Sequence, residues 1–418
     1  MQRKRFINFI SVFLVFFLAL LFMNSCAFAA EEQKVYNLKT VLSISIEKNP
    51  SLAVFKANLG ASRGALIAAG AYPNPELELG GSRGKSLETG ETKGEYSIGI
   101  GQPLEWPGKR LYRKKAARSA VEAVEMDLAD LRLKIKAEVK TAFFRVLTDK
   151  KTLRIAEDNL HTVQELLKSV QIRVKAGEAP EFELVKARVE ALRADKDMRK
   201  AGNVLFISKV ALNALLGNTF SEDFDVMGDF SATRTEYALQ RLLSYAMERH
   251  PVLLKARVET EAKGFSLKEQ RASIVPDVTL SGFYDKELDK ESVGVGLSMP
   301  IPLWYRRKGE ISVARAELAR AENEAKRTKV ELAKAVTSQF SSYRIALDQL
   351  DVFDKGLLNE AQEALRIADI SYRHGESGLL DYLDAQRVYR SVLMEYYQSL
   401  FELEASLASL ERVVGGLP

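Results

Sequence analysis

Residues 36–50, YNLKTVLSISIEKNP, and residues 237–251, YALQRLLSYAMERHP, are two copies of one pattern within a single chain. The copies share tyrosine, leucine, serine, glutamate and proline at equivalent positions, and the match continues without a gap through residues 81 and 282. The offset of 201 residues is far longer than the roughly 20 to 50 residues of solenoid repeats. The sequence therefore predicts a duplicated unit with two-fold pseudo-symmetry.

The correspondence resumes near the end of each copy, at an offset of 198 residues. There Gly177 and Glu178 align with Gly375 and Glu376. Two units of about 200 residues fill almost all of the 418 residues, which leaves no room for an unrelated catalytic domain. The predicted organisation comprises a signal peptide (1–29), a first repeat (30–217), an equatorial linker (218–236) and a second repeat (237–418).

The first 29 residues have the parts of a secretory signal. Basic residues 3–5 precede an apolar run over residues 6–23, and residues 27–29, Ala-Phe-Ala, provide a cleavage site. Cys26 is the only cysteine and lies inside this segment, so cleavage would leave no cysteine and no disulfide framework. A lipoprotein acylated on Cys26 and an uncleaved membrane anchor are the alternatives.

The charge balance gives no support for a nucleic-acid partner. The chain has 61 basic and 56 acidic residues, and three of the basic residues belong to the signal, which leaves a net charge of +2. Binding to phosphates would require a concentrated basic face instead. No later stretch has the length of an apolar membrane helix, so we expect any outer-membrane crossing to use strands of about 9 to 11 residues.

Proline-free segments predict two long helices. All eleven prolines lie outside residues 108–179 and 303–417, which are rich in good helix formers. We expect helices over about 110–176 and about 308–374, each ending at a left-handed glycine and followed by a returning helix. A helix of this length would be roughly 100 Å long, so the molecule must be elongated. Apolar residues recur every three or four positions, as in a coiled coil, at Leu153, Ala156, Leu160, Val163, Leu167, Val170 and Val174, and again at Leu358, Ala361, Leu365, Ala368 and Tyr372.

Each repeat also contains a β-hairpin, predicted over about 76–102 and about 277–299, where apolar residues alternate with glycine and serine. Four strands cannot close a barrel and would leave edges exposed, so several chains must share one barrel. Trp106 and Trp304 lie at the matching exits of the hairpins. They fit either ordinary packing or an aromatic girdle at the membrane interface.

The order of helix, β-hairpin, long helix, glycine turn and returning helix, present twice, resembles the TolC-type outer-membrane efflux proteins over about residues 36–416. Tyr372 and Gly375, followed by residues 379–386, LLDYLDAQ, are similar to the periplasmic-tip motif of that family. Residues 102–110, QPLEWPGKR, resemble its heavy-metal branch, the cobalt-zinc-cadmium resistance type.

The resemblance implies a mainly α-helical protomer with a transmembrane β-barrel portion. Three copies would form a twelve-stranded barrel in outer-membrane lipid, continued by a hollow α-helical barrel in the periplasm. Such a protein is a passive exit duct that works with a periplasmic adaptor and an inner-membrane pump of the RND type. We therefore expect an outer-membrane location extending into the periplasm, a homotrimer, and heavy-metal cations as cargo.

The resemblance also assigns roles to residues at the predicted tips. Asp381 and Asp384 would form a ring of acids at the periplasmic gate, with Tyr372 as a partner in the closed state. The simpler alternative is that acids in a first helical turn stabilise the helix by about 0.3 to 1 kcal/mol. The first repeat has Glu183 and Lys186 at these positions, and Ser377 stands where the family often has an arginine. The adaptor would dock at Gly177, Glu178, Gly375 and Glu376.

An enzyme is not expected. His161, His250 and His374 are the only histidines and lie far apart in the sequence, so neither a zinc site nor a cofactor site is predicted. The Gly80–Ser86 stretch imitates a phosphate loop, but its spacing is one residue short, and we interpret it as a hairpin turn. No catalytic residue is assigned. Drug efflux, type I secretion and a periplasmic coiled-coil adaptor are the alternative functions.

Overall fold

The computed structural model describes residues 35–221, 224–230, 234–288 and 290–417. The predicted signal peptide and Cys26 lie outside these residues. The first repeat contains β1 (Val35–Tyr36), α1 (Leu38–Lys48), α2 (Pro50–Ala69), β2 (Glu76–Lys85), β3 (Thr92–Leu104), α3 (Pro107–Lys175) and α4 (Glu181–Leu215).

The second repeat follows the same order after β4 (Asp225–Val226), which pairs in parallel with β1. The protomer is mainly α-helical with one β-hairpin in each repeat, as predicted. The elements of the second repeat are α5 (Leu239–Arg249), α6 (Pro251–Ala272), β5 (Val278–Glu287), β6 (Lys290–Ser298), α7 (Lys308–Val352), a π-helical segment (Phe353–Leu357), α8 (Leu358–Arg373) and α9 (Leu379–Val414).

Helices α2 and α6 begin in the same way in the two repeats. The side-chain oxygen of Asn49 accepts a hydrogen bond from the Ser51 N–H at 2.9 Å. At the equivalent position, Nδ1 of His250 accepts one from the Val252 N–H at 3.3 Å. Both capping residues precede a proline, whose missing N–H would have no partner in the first turn of a helix.

The first long helix, α3, is uninterrupted over 69 residues. Its buried seam repeats every seven residues between Val121 and Val170, which are 49 residues or seven heptads apart. The helix packs lengthwise along α4, α6 and α9. Burial of this seam is the main reason that so long a helix is stable, because helix propensity alone contributes little.

The second long helix is interrupted, so the prediction of one helix over about 308–374 is wrong. Gly356 has a φ of 113°, and residues 353–357 form a π-helical turn between α7 and α8. The buried residues Leu350 and Tyr372 on either side are 22 residues apart, one more than three heptads. A π-turn takes up one extra residue, and it therefore keeps both halves of the seam on one face. Asp158 occupies the equivalent position in α3, where the helix continues.

The two hairpins join in one antiparallel sheet with the strand order β2-β3-β5-β6. In the register, Ile98 lies between Leu79 and Tyr284, so these apolar side chains share one face. Glycine and serine occupy much of the other face. The sheet sits at the end of the molecule where α3 and α7 begin, and the glycine turns after α3 and α8 lie at the far end of each arm.

Apolar clusters hold the helices together between these ends. In the first repeat Phe143 and Leu212 are buried with Val226 of the linker strand. In the second repeat Tyr343 and Leu410 are buried in the equivalent place. Each cluster joins the long helix to the returning helix of its own repeat, and Phe401 of α9 connects the second repeat to the first cluster.

Candidate functional site

The two arms end in the same backbone turn. Gly177 and Gly375 have φ values of 75° and 76°, the left-handed region that glycine adopts without strain. The Glu178 N–H donates to the Arg173 carbonyl at 2.8 Å, and the Glu376 N–H donates to the Ser371 carbonyl at 2.8 Å. Both turns therefore have the hydrogen bond of a Schellman cap. The structure places all four predicted docking residues at exposed tips, as the sequence suggested, but it contains no partner that tests their role.

The tips of the two arms pack against each other through a small apolar cluster. Tyr372 at the end of α8 is 8 % exposed, and its ring stacks on that of Tyr382 with centroids 5.6 Å apart and planes 15° apart. The Arg173 guanidinium of the first tip lies 5.4 Å from the centre of the Tyr372 ring. The other buried members of the cluster are Leu166, Val170, Ala187, Leu379 and Leu383.

The predicted gate acids lie on the first turns of α9 and remain exposed. Asp381 Oδ2 accepts a hydrogen bond from the Gly378 N–H at 3.1 Å, and thus caps the helix. Asp384 Oδ1 lies 3.5 Å from an Arg387 guanidinium nitrogen. These contacts are those of the simpler alternative, in which the acids stabilise a helix N-terminus. They leave the carboxylates free to face solvent as well, so the gate role stays a prediction.

The Tyr372 hydroxyl does not bond to either aspartate. Its oxygen is buried beside the Arg173 guanidinium, which interacts with it, and Glu183 Oε2 and Ser377 Oγ are buried oxygens that have no hydrogen-bond partner among the described residues. Burial raises the pKa of Tyr372, Arg173 opposes this effect, and Glu183 adds to it. Most buried polar atoms in folded proteins are paired, so this group of oxygens at the tip is unusual.

Arg173 and Glu183 were not assigned a role from the sequence. The signal for Glu183 is its equivalence to Asp381, which places an acid on the first turn of both returning helices. Arg173 lies four residues before Gly177, whereas the equivalent residue of the second tip is Ser371. Only the packing of the two arms brings both side chains near Tyr372.

At the other end of the helices, the QPLEWPGKR segment joins the sheet to α3 through charged contacts. Asp277 accepts hydrogen bonds from the Trp106 N–H at 2.9 Å and from Lys109 Nζ at 2.7 Å. Arg113 and Glu105 form a two-pronged ion pair, with one N–O distance of 2.9 Å. This segment of the first repeat is therefore anchored to the start of β5 in the second repeat.

The tryptophans at this level differ in exposure. Trp106 is 49 % exposed and Trp304 is 94 % exposed, which agrees poorly with core packing for Trp304. The ring of Trp304 lies free at the exit of the second hairpin. The girdle interpretation stays a prediction, because the membrane itself is absent.

Across the ranges described, no three histidine, cysteine, aspartate or glutamate side chains are grouped so that they would hold a metal ion. His250 serves as a helix cap, and its Nε2 lies 3.1 Å from the Arg412 carbonyl oxygen. Within the same ranges, none of the helices combines the length and apolar character required to span a bilayer.

Comparison with known proteins gives consistent matches over both repeats. A family model described as Outer membrane efflux protein matches residues 41–218 and 242–416. The cobalt-zinc-cadmium resistance protein CzcC of Cupriavidus metallidurans is 25% identical over 391 residues, covering 93% of this chain and 92% of CzcC. The pyoverdine export outer membrane protein OpmQ of Pseudomonas aeruginosa is 25% identical, covering 93% of this chain and 86% of OpmQ.

The fold is that of solved membrane proteins. A membrane protein from Pseudomonas aeruginosa superimposes with a TM-score of 0.79 at 20% identity, and the alignment covers 91% of this chain and 90% of the other. At this identity the likeness concerns the fold alone. The helical arms and the four-stranded sheet described above are therefore an arrangement that other membrane proteins share.

Proposed function

Because the chain belongs to the outer membrane efflux protein family, we propose that it is a passive exit duct that delivers heavy-metal cations to the outside. It is an efflux channel of the outer membrane that extends into the periplasm. An inner-membrane pump of the RND type would supply the energy, and a periplasmic adaptor would connect the two. Three copies of the chain would form the duct.

The different chemistry of the two faces of the sheet supports the proposal of a duct through lipid. One face presents exposed aliphatic and aromatic side chains from all four strands, among them Leu77, Ile98, Leu280 and Val295. Along β3, Ser97, Gly99 and Gly101 occupy the opposite face. An apolar outer face with a polar inner face is typical of strands that separate lipid from a water-filled lumen.

The inner face of the sheet is also acidic. The register places Glu76 and Glu78 on this face near the helices. Nearer the hairpin turns, the acids on this face outnumber the lysines: they are Glu95, Asp285 and Glu287, against Lys93 and Lys290. Acidic side chains around a pore favour the passage of cations over anions. This lining supports a cationic cargo, and the resemblance of residues 102–110 to the heavy-metal branch points in the same direction.

The free edges of the sheet support a shared barrel. Among the described residues, β2 and β6 each pair with a strand on one side only. An open edge with an apolar face would pair with further strands. Three copies placed around an axis would supply twelve strands and would leave no edge free.

The short helices support the same arrangement. Helix α6 packs between α3 and α7, whereas its counterpart α2 packs against α3 and has no comparable second partner among the described elements. The free side of α2 exposes Val54 and Ile67. By the pseudo-symmetry of the repeats, α7 of a neighbouring copy would cover α2. The trimer would then complete a ring of equivalent helices.

Within this duct, Asp381, Asp384 and Tyr372 would form the periplasmic gate. The exposed turns at Gly177, Glu178, Gly375 and Glu376 would contact the adaptor. Trp106 and Trp304 would lie where the barrel leaves the outer membrane on its periplasmic side. The separation of these groups along the arms supports this division of roles, since the sheet and the tips lie at opposite ends.

A second cargo is favoured by one comparison. The pyoverdine exporter covers as much of this chain as the metal-resistance protein does, at the same identity. Export of a siderophore or a drug through the same duct is therefore the alternative. Its entry to the duct would depend on the pump.

The cargo is tested by deleting the encoding gene and measuring growth with zinc, cobalt or cadmium, and separately with a panel of drugs and under siderophore secretion. We expect greater metal sensitivity, with recovery when the intact chain is restored. Unchanged metal tolerance together with lost siderophore or drug export would favour the alternative. Recovery of the chain as a soluble periplasmic species, without heat-modifiable trimers in the outer membrane, would contradict a duct.

A further inference from the structure

The break between α7 and α8 has no counterpart in the first arm. Each long helix lies between a tryptophan at the sheet and a glycine at the tip, and both spans are 71 residues long. The two arms therefore have equal lengths of chain, but only the second contains a π-turn. A π-turn inside a long helix is a common feature of functional sites.

Gly356 makes the turn possible because its φ of 113° is a conformation that residues with a Cβ rarely adopt. The space around it is open, since a Cβ built on Gly356 would have no heavy atom within 4 Å among the described residues. Close packing therefore does not explain the glycine. The backbone conformation does.

Few contacts beyond the helical hairpin itself hold this turn. Asp354 forms an ion pair with Arg234, which belongs to the equatorial linker. The Phe353 ring meets the Tyr396 ring of α9 edge-on, with centroids 5.4 Å apart. Lys355 pairs with Asp351 one turn above at 2.6 Å. The Arg234 contact is the one that ties the turn to a different part of the chain.

The space next to this ion pair would allow it to rearrange. A cavity of about 450 Å³ is lined by Arg234, Tyr237, Asp348 and Asp351, together with other residues of α7. Asp348 offers an alternative acidic partner on the same side of the helix, whereas Asp351 is already paired with Lys355. Arg234 therefore has room to leave Asp354 without losing every acidic neighbour.

Below the turn, α8 is lightly anchored. Only Ala361 and Tyr372 are buried among its 16 residues, and the helix packs mainly along α9. The equivalent part of α3, residues 160–175, buries Val163, Leu166 and Val170. In the second arm, buried contacts occur near the two ends of α8, and the rest of the helix packs along α9. In the first arm, buried residues are spread along the equivalent part of α3.

We propose that residues 353–357 are a pivot for the tip of the second arm, and that the Arg234–Asp354 ion pair holds this pivot in its present arrangement. Gly375 lies 19 residues beyond Gly356, about 28 Å along a helix, so a tilt of about 10° would move the tip by about 5 Å. Helix α9 has no break and would bend with the tip. The inference rests on the proposed duct, because it makes the linker a regulator of the gate at Tyr372, Asp381 and Asp384.

The pivot is tested by hydrogen–deuterium exchange on the intact protein in detergent. Arg234→Gln should speed the exchange of residues 353–373 by about 1.4- to 5-fold, the range expected from losing an exposed ion pair. Residues 155–175 of the first arm should be unchanged. Lys263→Gln is the matched control, because it breaks a similarly exposed ion pair with Glu317, at 2.8 Å, away from the turn.

The charge-swapped double variant, Arg234→Asp with Asp354→Arg, separates an ion pair from a general disturbance of the linker. It should return the exchange of residues 353–373 toward the wild-type rate. Unchanged exchange in Arg234→Gln, or faster exchange in both arms, would overturn the pivot. Bilayer conductance of the wild type is measured in parallel, and its absence would count against the duct while leaving the exchange result to decide the pivot.

Discussion

The two arms have equal lengths of chain and the same glycine turn, yet they differ in the spacing of the buried residues along their long helices. The seam of the first arm keeps the seven-residue spacing from Val121 to Val170, and the helix is continuous. The seam of the second gains one residue between Leu350 and Tyr372, and the helix contains a π-turn at Gly356. The spacing of the buried seam thus goes together with the form of the long helix, which is continuous in the first arm and contains a π-turn in the second.

Deleting one residue from each arm in turn should give the largest difference in stability between the two arms. Removing Gly356 restores heptad spacing and should convert the π-turn into regular helix at little cost. Removing Asp158, the matching residue of α3, rotates the rest of that helix by about 100° and turns Val163 and Val170 out of the seam. We expect a loss on the order of 5 kcal/mol for the Asp158 deletion.

Thermal unfolding followed by circular dichroism measures both deletions. The Asp158 deletion should lower the midpoint strongly, and the Gly356 deletion should leave it near the wild-type value. Equal losses in the two variants would contradict the explanation of the π-turn by an extra residue in the seam.

The second-largest difference in stability should come from substitutions at the tips of the two arms. Tyr372 is buried and stacked on Tyr382, and replacing it with alanine should cost about 3 kcal/mol because a large aromatic side chain leaves a cavity. Val174, its counterpart in the first arm, is only partly buried, and Val174→Ala should cost about 1 kcal/mol. Hydrogen exchange at residues 366–384 reports the loss.

Tyr372→Phe completes this comparison. It keeps the ring and removes only the hydroxyl, whose neighbour is the Arg173 guanidinium, so the loss of stability near neutral pH should be small beside that of Tyr372→Ala. A loss as large as that of Tyr372→Ala would assign the stability to the hydroxyl and not to the ring.

The N-terminal caps of α2 and α6, Asn49 and His250, should give a smaller difference in stability, and one that depends on pH. Burial lowers the pKa of His250, although the Arg412 carbonyl opposes the effect, so the folded state favours the neutral ring. A depressed pKa means that this stability is present above the unfolded value of about 6.5 and is lost as the pH falls below it. Protonated Nδ1 would also be unable to accept the Val252 N–H.

The expected result is a midpoint of thermal unfolding that is lower at pH 5.5 than at pH 7.5, on the order of 2 °C from this residue. His250→Asn, which copies Asn49 of the first repeat, should remove most of that difference. His161→Asn, at an exposed helical position, is the control and should retain it. A difference that persists unchanged in His250→Asn would assign the acid sensitivity to other groups.

Much of this architecture was predictable from the sequence, for identifiable reasons. Proline positions, two-residue alternation and the glycines at 177 and 375 indicate helices, strands and turns because each depends on local backbone preferences. Duplication then relates the two repeats. The π-turn is not among the predicted elements, although the eight-residue step from Leu350 to Leu358, set against the seven-residue steps of α3, is a signal for it.

The tip was only partly predictable. The role of Asp381 as a helix cap follows from its place in the first turn of α9, which is the simpler alternative that the sequence offers. The approach of Arg173 and Glu183 to Tyr372 depends on how two arms from different repeats pack, and no local pattern encodes that distance. The register that places Glu76, Glu78, Glu95 and Asp285 on one face likewise required the strand pairing.

Conductance of the purified protein in planar lipid bilayers tests the central claim, that the chain forms a duct gated by its second arm. Asp381→Ala combined with Asp384→Ala should raise the open conductance and abolish block by divalent cations. Glu183→Ala combined with Lys186→Ala changes the equivalent positions of the first tip and should leave that block in place. Unchanged conductance and unchanged divalent block in the Asp381/Asp384 variant would contradict the account.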